Sequence, residues 1–508
     1  MKNLRLLSLI VIFPAMLLAA SADNPFKDRI MYEIFVRSFA DANGDGIGDL
    51  NGIEQKVNYL GDLGVQGVWL TPFNTATSYH KYDVEDYYAV DPEYGTIDDL
   101  KAMINAAHSR GILVVMDLVV NHCSVKHKYF MDACSSSTSP YRDYFVWKSP
   151  KLITTEKQNW HNPPGADTTA KDFQKYYGFF WSGMPDFNFD NPRVRKEMIN
   201  VGRFWLEAGV DGFRLDAAQH IYPEGQESKN HIWWKEFRQA MEQVKPDFFM
   251  VGEVANKTNV VAPYLKEGMH SAFNFDLAAD INRVVVQGRN DSLVERLIAI
   301  RQKYSSFAPN YIDATFVTNH DQNRIMNNVR YDEKKAKLAA SILLTLPGSP
   351  YLYYGEEIGM RGEKPDELIR EPFPWSYQKS EGYAVTSWET PVYTVKENVR
   401  SLEDQFNDPE SIYSHYSRLL QTRNGLPALY SGSIVSLPQP TQEVIVYKRI
   451  AESGQQVLVV HNLSPLTQSL DLGIRSEGTS VVFSSDGSTF DGELVQMAPL
   501  STAIYLLQ

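Results

Sequence analysis

Short apolar runs alternate with segments of helical spacing between residues 28 and 355. The runs are rich in β-branched and aromatic residues, and this alternation is typical of repeated βα units around a parallel sheet. Eight runs can be counted, which is the number of strands that closes a (β/α)8 TIM barrel. They cover residues 31–36, 65–70, 112–120, 210–215, 248–252, 272–275, 315–318 and 349–353. The pattern therefore predicts an α/β fold built on such a barrel, with an open doubly wound sheet as the alternative.

One of the intervening helices is well marked. Asp190 or Asn191 can cap its first turn, Pro192 suits its first position, and Gly209 is a natural stop. Apolar residues at 194, 198, 201 and 205 recur at helical spacing between these signals. A helix that begins near 192 and ends near 208 is expected.

Two departures from the alternating pattern predict further domains. About 70 residues, 122–191, separate the third and fourth runs, and we expect an inserted domain there. After about residue 425 the helical spacing gives way to short alternating strands, which predicts an antiparallel β-sandwich over residues 426–508. The barrel would then occupy residues 23–121 and 192–425, preceded by a leader at 1–22.

The first 22 residues have the form of a cleaved secretory signal. Lys2 and Arg5 precede an apolar run at 6–20, and Ala-Ser-Ala at 20–22 has the small residues that signal peptidase accepts. The run is shorter than a membrane span needs, so an anchor is the minor interpretation. We therefore expect a secreted or periplasmic protein, in which Cys123 and Cys134 could form a local disulfide or remain two free buried thiols.

Composition and charge limit the classes of partner that the protein is expected to bind. Hydrophobic residues make up 43% and charged residues 22% of the 508, which excludes extended disorder. The 49 basic and 62 acidic side chains give a formal net charge of −13, so the surface field would repel phosphate backbones and anionic lipids. Neither nucleic acid nor membrane insertion of the mature chain is expected, and a monomer is assumed.

Polar side chains are dense where the predicted strands end, the place where barrels form their active sites. Arg214 and Asp216 lie on one face of the fourth run, Glu253 follows the fifth, and Asp321 follows the seventh. Each carboxylate alone is typical of a buried ion pair or a helix cap. Together they match glycoside cleavage, in which one carboxyl group protonates the leaving oxygen while another attacks or stabilises the sugar cation. The neighbouring Arg214 would keep Asp216 ionised.

These residues lie in motifs that resemble the α-amylase superfamily, glycoside hydrolase family 13, over residues 28–508. The matching segments are GVWLTP at 67–72, DLVVNH at 117–122, MPDFN at 184–188, GFRLD at 212–216, VGE at 251–253, FVTNHD at 316–321, and GSP at 348–350 followed by YGE at 354–356. The segment at 184–188 is similar to the branch between α-amylases and oligo-1,6-glucosidases or neopullulanases. The resemblance implies a barrel, a domain inserted after its third strand, and a C-terminal β-sandwich.

The resemblance also implies roles for individual side chains. Asp216 would be the nucleophile that forms a covalent glycosyl-enzyme, Glu253 the general acid/base, and Asp321 the carboxylate that holds substrate hydroxyls. The expected substrate-binding residues are Tyr82, His122, Arg214, His320 and Arg370. Trp160 and Trp181 in the insertion would form sugar platforms or pack within that domain.

Two Ca²⁺ sites are expected. Residues 41–49 present oxygen ligands at alternating positions, like the first nine positions of an EF-hand loop, although Gly52 stands where its closing Glu would be. By resemblance to one branch of the superfamily, the ligands there are Asp41, Asn43, Asp45, the Ile47 carbonyl and Asp49. A second ion between barrel and insertion would be held by Asn121, Asp186 and the His220 carbonyl. Gln219 stands where typical α-amylases have Lys, which weakens this second match.

The resemblance implies a retaining hydrolase of α-1,4-glucosidic bonds in starch, glycogen or maltooligosaccharides, with endo-acting α-amylase favoured. An exo-acting α-glucosidase, a neopullulanase and a 4-α-glucanotransferase are the alternatives with the same catalytic groups. A non-catalytic glucan-binding or interaction protein is the alternative from another class. Such a protein would tolerate loss of the three carboxylates, and a transporter subunit would need a membrane span.

Overall fold

The computed structural model describes residues 24–266, 268–378, 385–474 and 478–507. At its centre eight parallel strands form a closed barrel, in which strands that follow one another along the chain are neighbours. These strands are Met31–Ile34, Gly67–Leu70, Leu113–Leu118, Gly212–Leu215, Phe249–Gly252, Ser271–Phe273, Ile312–Phe316 and Ser349–Tyr353. The predicted barrel is confirmed and the open sheet is wrong. The predicted leader lies outside the described residues.

Helices surround the barrel. The α-helices are Val36–Phe39, Leu50–Leu63, Ile97–Ser109, Lys128–Ser135, Pro192–Ala208, Glu227–Glu242, Thr258–Leu265, Phe275–Gln287, Leu293–Phe307, Ile325–Asn328, Glu333–Thr345, Asp366–Ile369, Leu402–Phe406, Ile412–Gly425 and Pro427–Tyr430. Of the two candidate caps before Pro192, Asn191 is the one used, since its side chain accepts from the Arg193 N–H, and Gly209 ends the helix at φ 118°. Across the described ranges, no helix is long and apolar enough to cross a membrane.

Alternation along the strands decides what fills the barrel. Inward positions are apolar at its base, where residues such as Met31, Val115 and Val251 form one buried cluster. Two positions further along the same strands, the inward side chains become Glu33 and Asp117, and Glu253 follows Gly252. The register pairs Asp117 directly with Arg214 on the next strand. The sequence therefore places apolar side chains at the base of the barrel and a layer of charged side chains near the C-terminal ends of its strands.

The segment between the third and fourth strands builds a small unit over the barrel mouth. It contains the helix Lys128–Ser135 and a three-stranded sheet of Trp147–Lys148, Lys175–Tyr177 and Trp160–His161. A bridge between His122 and Asp186 closes its base. Cys123 is buried just beyond the third strand and Cys134 lies partly exposed on the helix, and both are free thiols. The predicted disulfide is therefore not present, and the alternative of two free thiols describes the structure.

The C-terminal region consists of two antiparallel sheets. One has the order Ser433–Ser436, Val444–Ile450, Gln456–Asn462, Ser501–Leu507 and Thr479–Ser484, and the other has Gln468–Asp471, Leu494–Met497 and Thr489–Phe490. Apolar side chains from both sheets, among them Val446, Leu458 and Val495, form one buried cluster. Two sheets that share a core in this way form a sandwich, as predicted.

Candidate active site

A pocket of about 360 Å³ opens at the C-terminal ends of the barrel strands. Six predicted site residues line it: Tyr82, His122, Asp216, Glu253, Asp321 and Arg370. The remaining lining residues are His80, Phe180, Trp181, Met184 and Asp366. Side chains from distant parts of the chain therefore converge at the mouth predicted from strand ends, while Arg214 and His320 lie in the wall behind them.

Arg214 is the centre of the charged layer. Its guanidinium is 1% exposed and donates from Nη1 to Oδ1 of Asp216 at 2.7 Å and to Oδ1 of Asp117 at 2.9 Å. Its Nη2 lies 3.0 Å from Oε2 of Glu253. The backbone N–H of Ala217 also donates to Oε2 of Glu253 at 3.1 Å. One buried cation therefore fixes the positions of both predicted catalytic carboxyl groups.

Burial gives these two carboxyl groups a shared tendency to hold protons. It raises the pKa of Glu253, which the Arg214 cation opposes and the charges of Asp216 and Asp321 reinforce. It also raises the pKa of Asp216, against the opposing effect of Arg214. The two groups also act on each other, since the charge of Asp216 raises the pKa of Glu253 further. A site with one protonated and one ionised carboxyl group is what glycoside cleavage requires.

Asp321 has the opposite electrostatic environment. Burial alone would raise its pKa, but the His320 imidazolium and the Arg370 guanidinium outweigh burial and hold it well below the usual range. Arg370 Nη2 donates to Oδ1 of Asp321 at 2.8 Å, and Nε2 of His320 lies 3.2 Å from Oδ2. Asp321 therefore stays ionised and presents its oxygens at the pocket, as expected of a group that accepts from sugar hydroxyls.

His320 is fully buried and does not line the pocket itself. Its ring stacks on Tyr82, with ring centroids 5.7 Å apart, and its Nε2 lies 2.7 Å from the Tyr82 hydroxyl. That hydroxyl donates to Oδ2 of Asp117 at 3.0 Å. Glu33 forms a hydrogen bond with His320. Neither Glu33 nor Asp117 was predicted as a site residue. Each is a single acidic residue inside an apolar strand run, and this isolated charge is the sequence feature that could have marked it as a site residue.

The insertion supplies the upper wall. His122 Nε2 donates to the Tyr82 carbonyl at 3.1 Å, and the His122 ring packs edge-on against Phe180. Trp181 lines the pocket and is 50% exposed, so its ring is accessible to a ligand. Trp160 lies at a separate cavity and packs edge-on against Tyr177. Of the two candidate platforms, Trp181 is therefore the one at this pocket.

The residues predicted for the second Ca²⁺ lie together beside the pocket. Asp186 is buried, which raises its pKa to about 8 although the Phe179 N–H and the Asn121 amide oppose the rise. Oδ1 of Asn121 is buried and has no hydrogen-bond partner among the described residues. His220 stacks on Phe179 at 4.1 Å, and it lines the same cavity as Asp186. An orphaned amide oxygen beside a buried carboxylate is a donor set that fits a hard cation.

The loop at 41–49 folds around its own oxygen atoms. Oδ1 and Oδ2 of Asp41 accept from the N–H groups of Gly44 and Gly46, and the side chains of Asn43 and Asp45 accept from the N–H groups two residues on. Gly46 is required at φ 93°, and a Cβ there would lie 2.5 Å from the Ser387 hydroxyl. Asp49 caps the next helix through the Gly52 N–H. Over the described ranges, no group of three or more His, Cys, Asp or Glu side chains is placed to hold a metal ion.

Two carboxyl groups bridged by a buried arginine lie at the mouth of a TIM barrel, and paired carboxyl groups are what glycoside cleavage uses. The protein-family model of the alpha amylase catalytic domain matches residues 33–432 of the chain. "Alpha-amylase 3" of Dictyoglomus thermophilum is 41% identical over 479 residues, 94% of this chain and 93% of the relative. A "4-alpha-glucanotransferase" of Thermotoga neapolitana is 35% identical and covers 86% of this chain and 96% of its own length. The solved alpha-amylase from H. orenii superposes with a TM-score of 0.86 at 41% identity, over 95% of this chain and 100% of that one. The chain belongs to the alpha-amylase family.

Proposed function

We propose that the protein hydrolyses α-1,4-glucosidic bonds within starch, glycogen or maltooligosaccharides, with retention of configuration, as an endo-acting α-amylase. The observation that carries the proposal is the contact of Arg214 with both Asp216 and Glu253, at 2.7 and 3.0 Å. It holds a nucleophile and an acid on one rigid cation. The 41% identity to an alpha-amylase over nearly the whole chain supports the choice of reaction.

In the first step, the Asp216 carboxylate attacks the anomeric carbon while Glu253 transfers its proton to the leaving glycosidic oxygen. The C–O bond to the leaving sugar breaks and a covalent ester to Asp216 forms. In the second step, Glu253 takes a proton from water as the water oxygen attacks the same carbon and releases Asp216. Two inversions at one carbon leave the α configuration unchanged.

The surrounding groups serve binding and charge. Asp321 is ionised and accepts from hydroxyls of the sugar at the cleavage point, and Tyr82 stacks on its face. His122 has its pKa lowered by burial to about 4, so it is a neutral ring near pH 7. Asp117 accepts from Arg214, Tyr82 and Trp69, and it thereby holds the wall of the pocket.

The test is a time course on soluble starch and on maltohexaose with iodine colour, reducing ends and the product ladder followed together. Rapid loss of iodine colour with few new reducing ends supports endo-action. Glucose released from the start with slow loss of colour would instead make the protein an exo-acting glucosidase. No turnover by wild-type protein would favour a glucan-binding or interaction protein.

Transfer to a sugar acceptor is the second candidate reaction. It uses the same covalent intermediate and differs in whether water or a sugar hydroxyl attacks it. The 35% identity to a 4-alpha-glucanotransferase over 86% of the chain supports transfer as the second candidate. Products longer than maltohexaose in the same time course would identify transfer.

We also propose Ca²⁺ as a structural cofactor, held by Asp41, Asn43, Asp45, the Ile47 carbonyl and Asp49. The oxygen-rich turn supports a cation there, and so does the pKa of Asp49, which burial raises and the charge of Asp41 raises further. A second Ca²⁺ would be held by Asn121, Asp186 and the His220 carbonyl, and the orphaned Asn121 oxygen supports it. When bound, these ions would neutralise the acidic groups and stabilise the loops that carry the ligands.

Export through a cleaved leader completes the proposal. It is supported by Lys2 and Arg5 before the apolar run at 6–20 and by the small residues at 20–22. Protein collected from the periplasm or the medium should have a mass that corresponds to a chain beginning at Asp23. An intact Met1 terminus in that fraction would contradict it.

A further inference from the structure

His320 lies between two carboxylates that approach it from opposite sides. Nδ1 contacts Oε1 of Glu33 on the first barrel strand, and Nε2 lies 3.2 Å from Oδ2 of Asp321. Glu33 is 1% exposed and His320 is fully buried. The two residues are 287 positions apart in the chain, so the contact is created by barrel closure, which brings the first and seventh strands to either side of the eighth.

The hydrogen-bond partners of His320 favour a proton on each ring nitrogen. A carboxylate oxygen only accepts, so the Nδ1 contact with Glu33 needs an Nδ1–H donor. At Nε2 the Tyr82 hydroxyl lies 2.7 Å away, and it can accept from the ring while it donates to Asp117 at 3.0 Å. The Asp321 carboxylate, 3.2 Å from Nε2, can only accept, so the geometry favours a donor at Nε2 as well. Donation from both nitrogens means that His320 is an imidazolium ion.

Burial and charge agree with this assignment. A carboxylate as buried as Glu33 is costly without a cation beside it. Burial lowers the pKa of His320, but the Asp321 and Glu33 carboxylates outweigh burial and raise the pKa to about 10. The charged or titratable groups around the ring come from every adjacent element. They are Glu33, Tyr82, Asp117, Asp216, Asp321 and Arg370.

We propose that Glu33 is a positioning residue that keeps His320 as an imidazolium ion, which in turn holds Asp321 and Tyr82 in their places at the pocket. This inference rests on the proposed function for its kinetic consequence, though not for the protonation state. Glu33 acts from behind the pocket wall and touches no substrate. Among the described residues, its hydrogen bond to the site is the one to His320.

Glu33→Gln is the direct test because it removes the charge and keeps the shape. Glu357→Gln is the matched control. Glu357 is an equally buried carboxylate that accepts from the hydroxyls of Tyr32 and Tyr59 at 2.7 and 2.6 Å, and it has no contact with His320 among those described. Glu33→Asp retains the charge on a shorter side chain and separates charge from packing.

The protonation state is measured on full-length protein with ¹⁵N-labelled histidine, by long-range ¹H–¹⁵N correlation spectra from pH 5 to 9.5, with His320 assigned from its loss in His320→Asn. Wild type and Glu357→Gln should show both ring nitrogens protonated up to pH 9. Glu33→Gln should titrate about 1–3 units lower, as expected for loss of one adjacent opposite charge. A neutral His320 at pH 8 in wild type, or an unchanged titration in Glu33→Gln, would overturn the proposal. If Glu33→Gln does not fold, the wild-type and Glu33→Asp spectra decide it.

The kinetic test uses maltotriosyl α-fluoride, whose fluoride leaves without a proton from Glu253. This substrate removes the general acid from the alkaline limb of the pH profile, so a remaining limb can report His320. We expect Glu33→Gln to keep kcat within about twofold at pH 6 and to lower it about tenfold at pH 9, since a shift of two pKa units changes the imidazolium fraction by that amount. Equal loss at both pH values would indicate a merely structural role and overturn the proposal. Absence of any wild-type turnover would instead contradict the proposed function, while the spectra still decide the role of Glu33.

Discussion

Oδ1 of Asp216 accepts a hydrogen bond from Nη1 of Arg214 at 2.7 Å, in a site where Arg214 is 1% exposed. The second nitrogen of the same guanidinium lies 3.0 Å from Glu253. Because the arginine is held on a barrel strand and paired across the sheet with Asp117, the two carboxyl groups cannot move independently. This shared anchor connects the fold to the proposed chemistry.

Asp216→Asn should lower kcat on maltohexaose by at least about a thousandfold, as expected for loss of an essential nucleophile. The amide keeps the shape of the side chain, so far-UV circular dichroism and the melting temperature should stay close to wild type. Asp62→Asn, at an exposed residue paired with Arg110, is the control and should keep full activity. Turnover of Asp216→Asn near the wild-type rate would remove Asp216 from its assigned role.

Glu253→Gln should lower kcat/KM strongly on starch and far less on maltotriosyl α-fluoride, because kcat/KM reports the first step and fluoride needs no proton on leaving. The wild-type rate on starch should fall as the pH rises through the pKa of Glu253, which burial raises, since only the protonated form acts as the acid. In Glu253→Gln that alkaline limb should be absent with the fluoride. Equal loss on both substrates would show that Glu253 is not the acid.

Arg370→Gln should move the acid limb of kcat/KM to higher pH. Asp216 and Asp321 must both be ionised, so activity is lost as the pH falls through the higher of their two pKa values. Burial raises the pKa of Asp216, which therefore sets the wild-type limb, and Asp321 sets it only in a variant that raises its own pKa. In wild type, His320 and Arg370 outweigh burial and hold the pKa of Asp321 well below its usual range. Removing Arg370 raises it. The control is Arg400→Gln at an exposed arginine paired with Asp408, which should leave the profile unchanged. An unmoved acid limb in Arg370→Gln would mean that Asp321 does not set it.

Chelation should destabilise the wild-type protein if the loop at 41–49 binds Ca²⁺. Differential scanning fluorimetry with EDTA and with added Ca²⁺ measures this. Saturation at a hundred times Kd is worth about 2.7 kcal/mol, so the melting temperature should fall by several degrees on chelation. Asp45→Ala should lose most of this response. Asp167→Ala, in an exposed turn capped through Thr169, should retain it. The same response in both variants would place the ion elsewhere.

The barrel and the convergence of three carboxylates at its mouth could be predicted from the sequence because strand ends meet at one face of a barrel, while their catalytic roles stay predictions from the family resemblance. Asp216, Glu253 and Asp321 all follow apolar runs, and no knowledge of long-range packing is needed to bring them together. Glu33 and Asp117 were missed. Their roles depend on contacts with His320 and Arg214 from other strands, which the sequence does not display.

The surroundings of individual side chains could not be predicted from the sequence. His320 is predicted to bind sugar hydroxyls, and this stays a prediction; its ring lies fully buried behind Tyr82 and Asp321. The predicted disulfide is not present, because eleven residues of separation say nothing of the environments of Cys123 and Cys134. One thiol lies in the core and the other on a partly exposed helix.

The central claim is that Asp216 attacks the sugar and that water then displaces it with net retention. The most direct measurement is ¹H NMR of the anomeric protons in the first minutes of maltohexaose hydrolysis, before mutarotation mixes the anomers. We predict that the newly formed reducing ends appear first as the α anomer and that the β signal grows in later. First appearance of the β anomer would mean a single displacement by water, and it would contradict the roles given to Asp216 and Glu253.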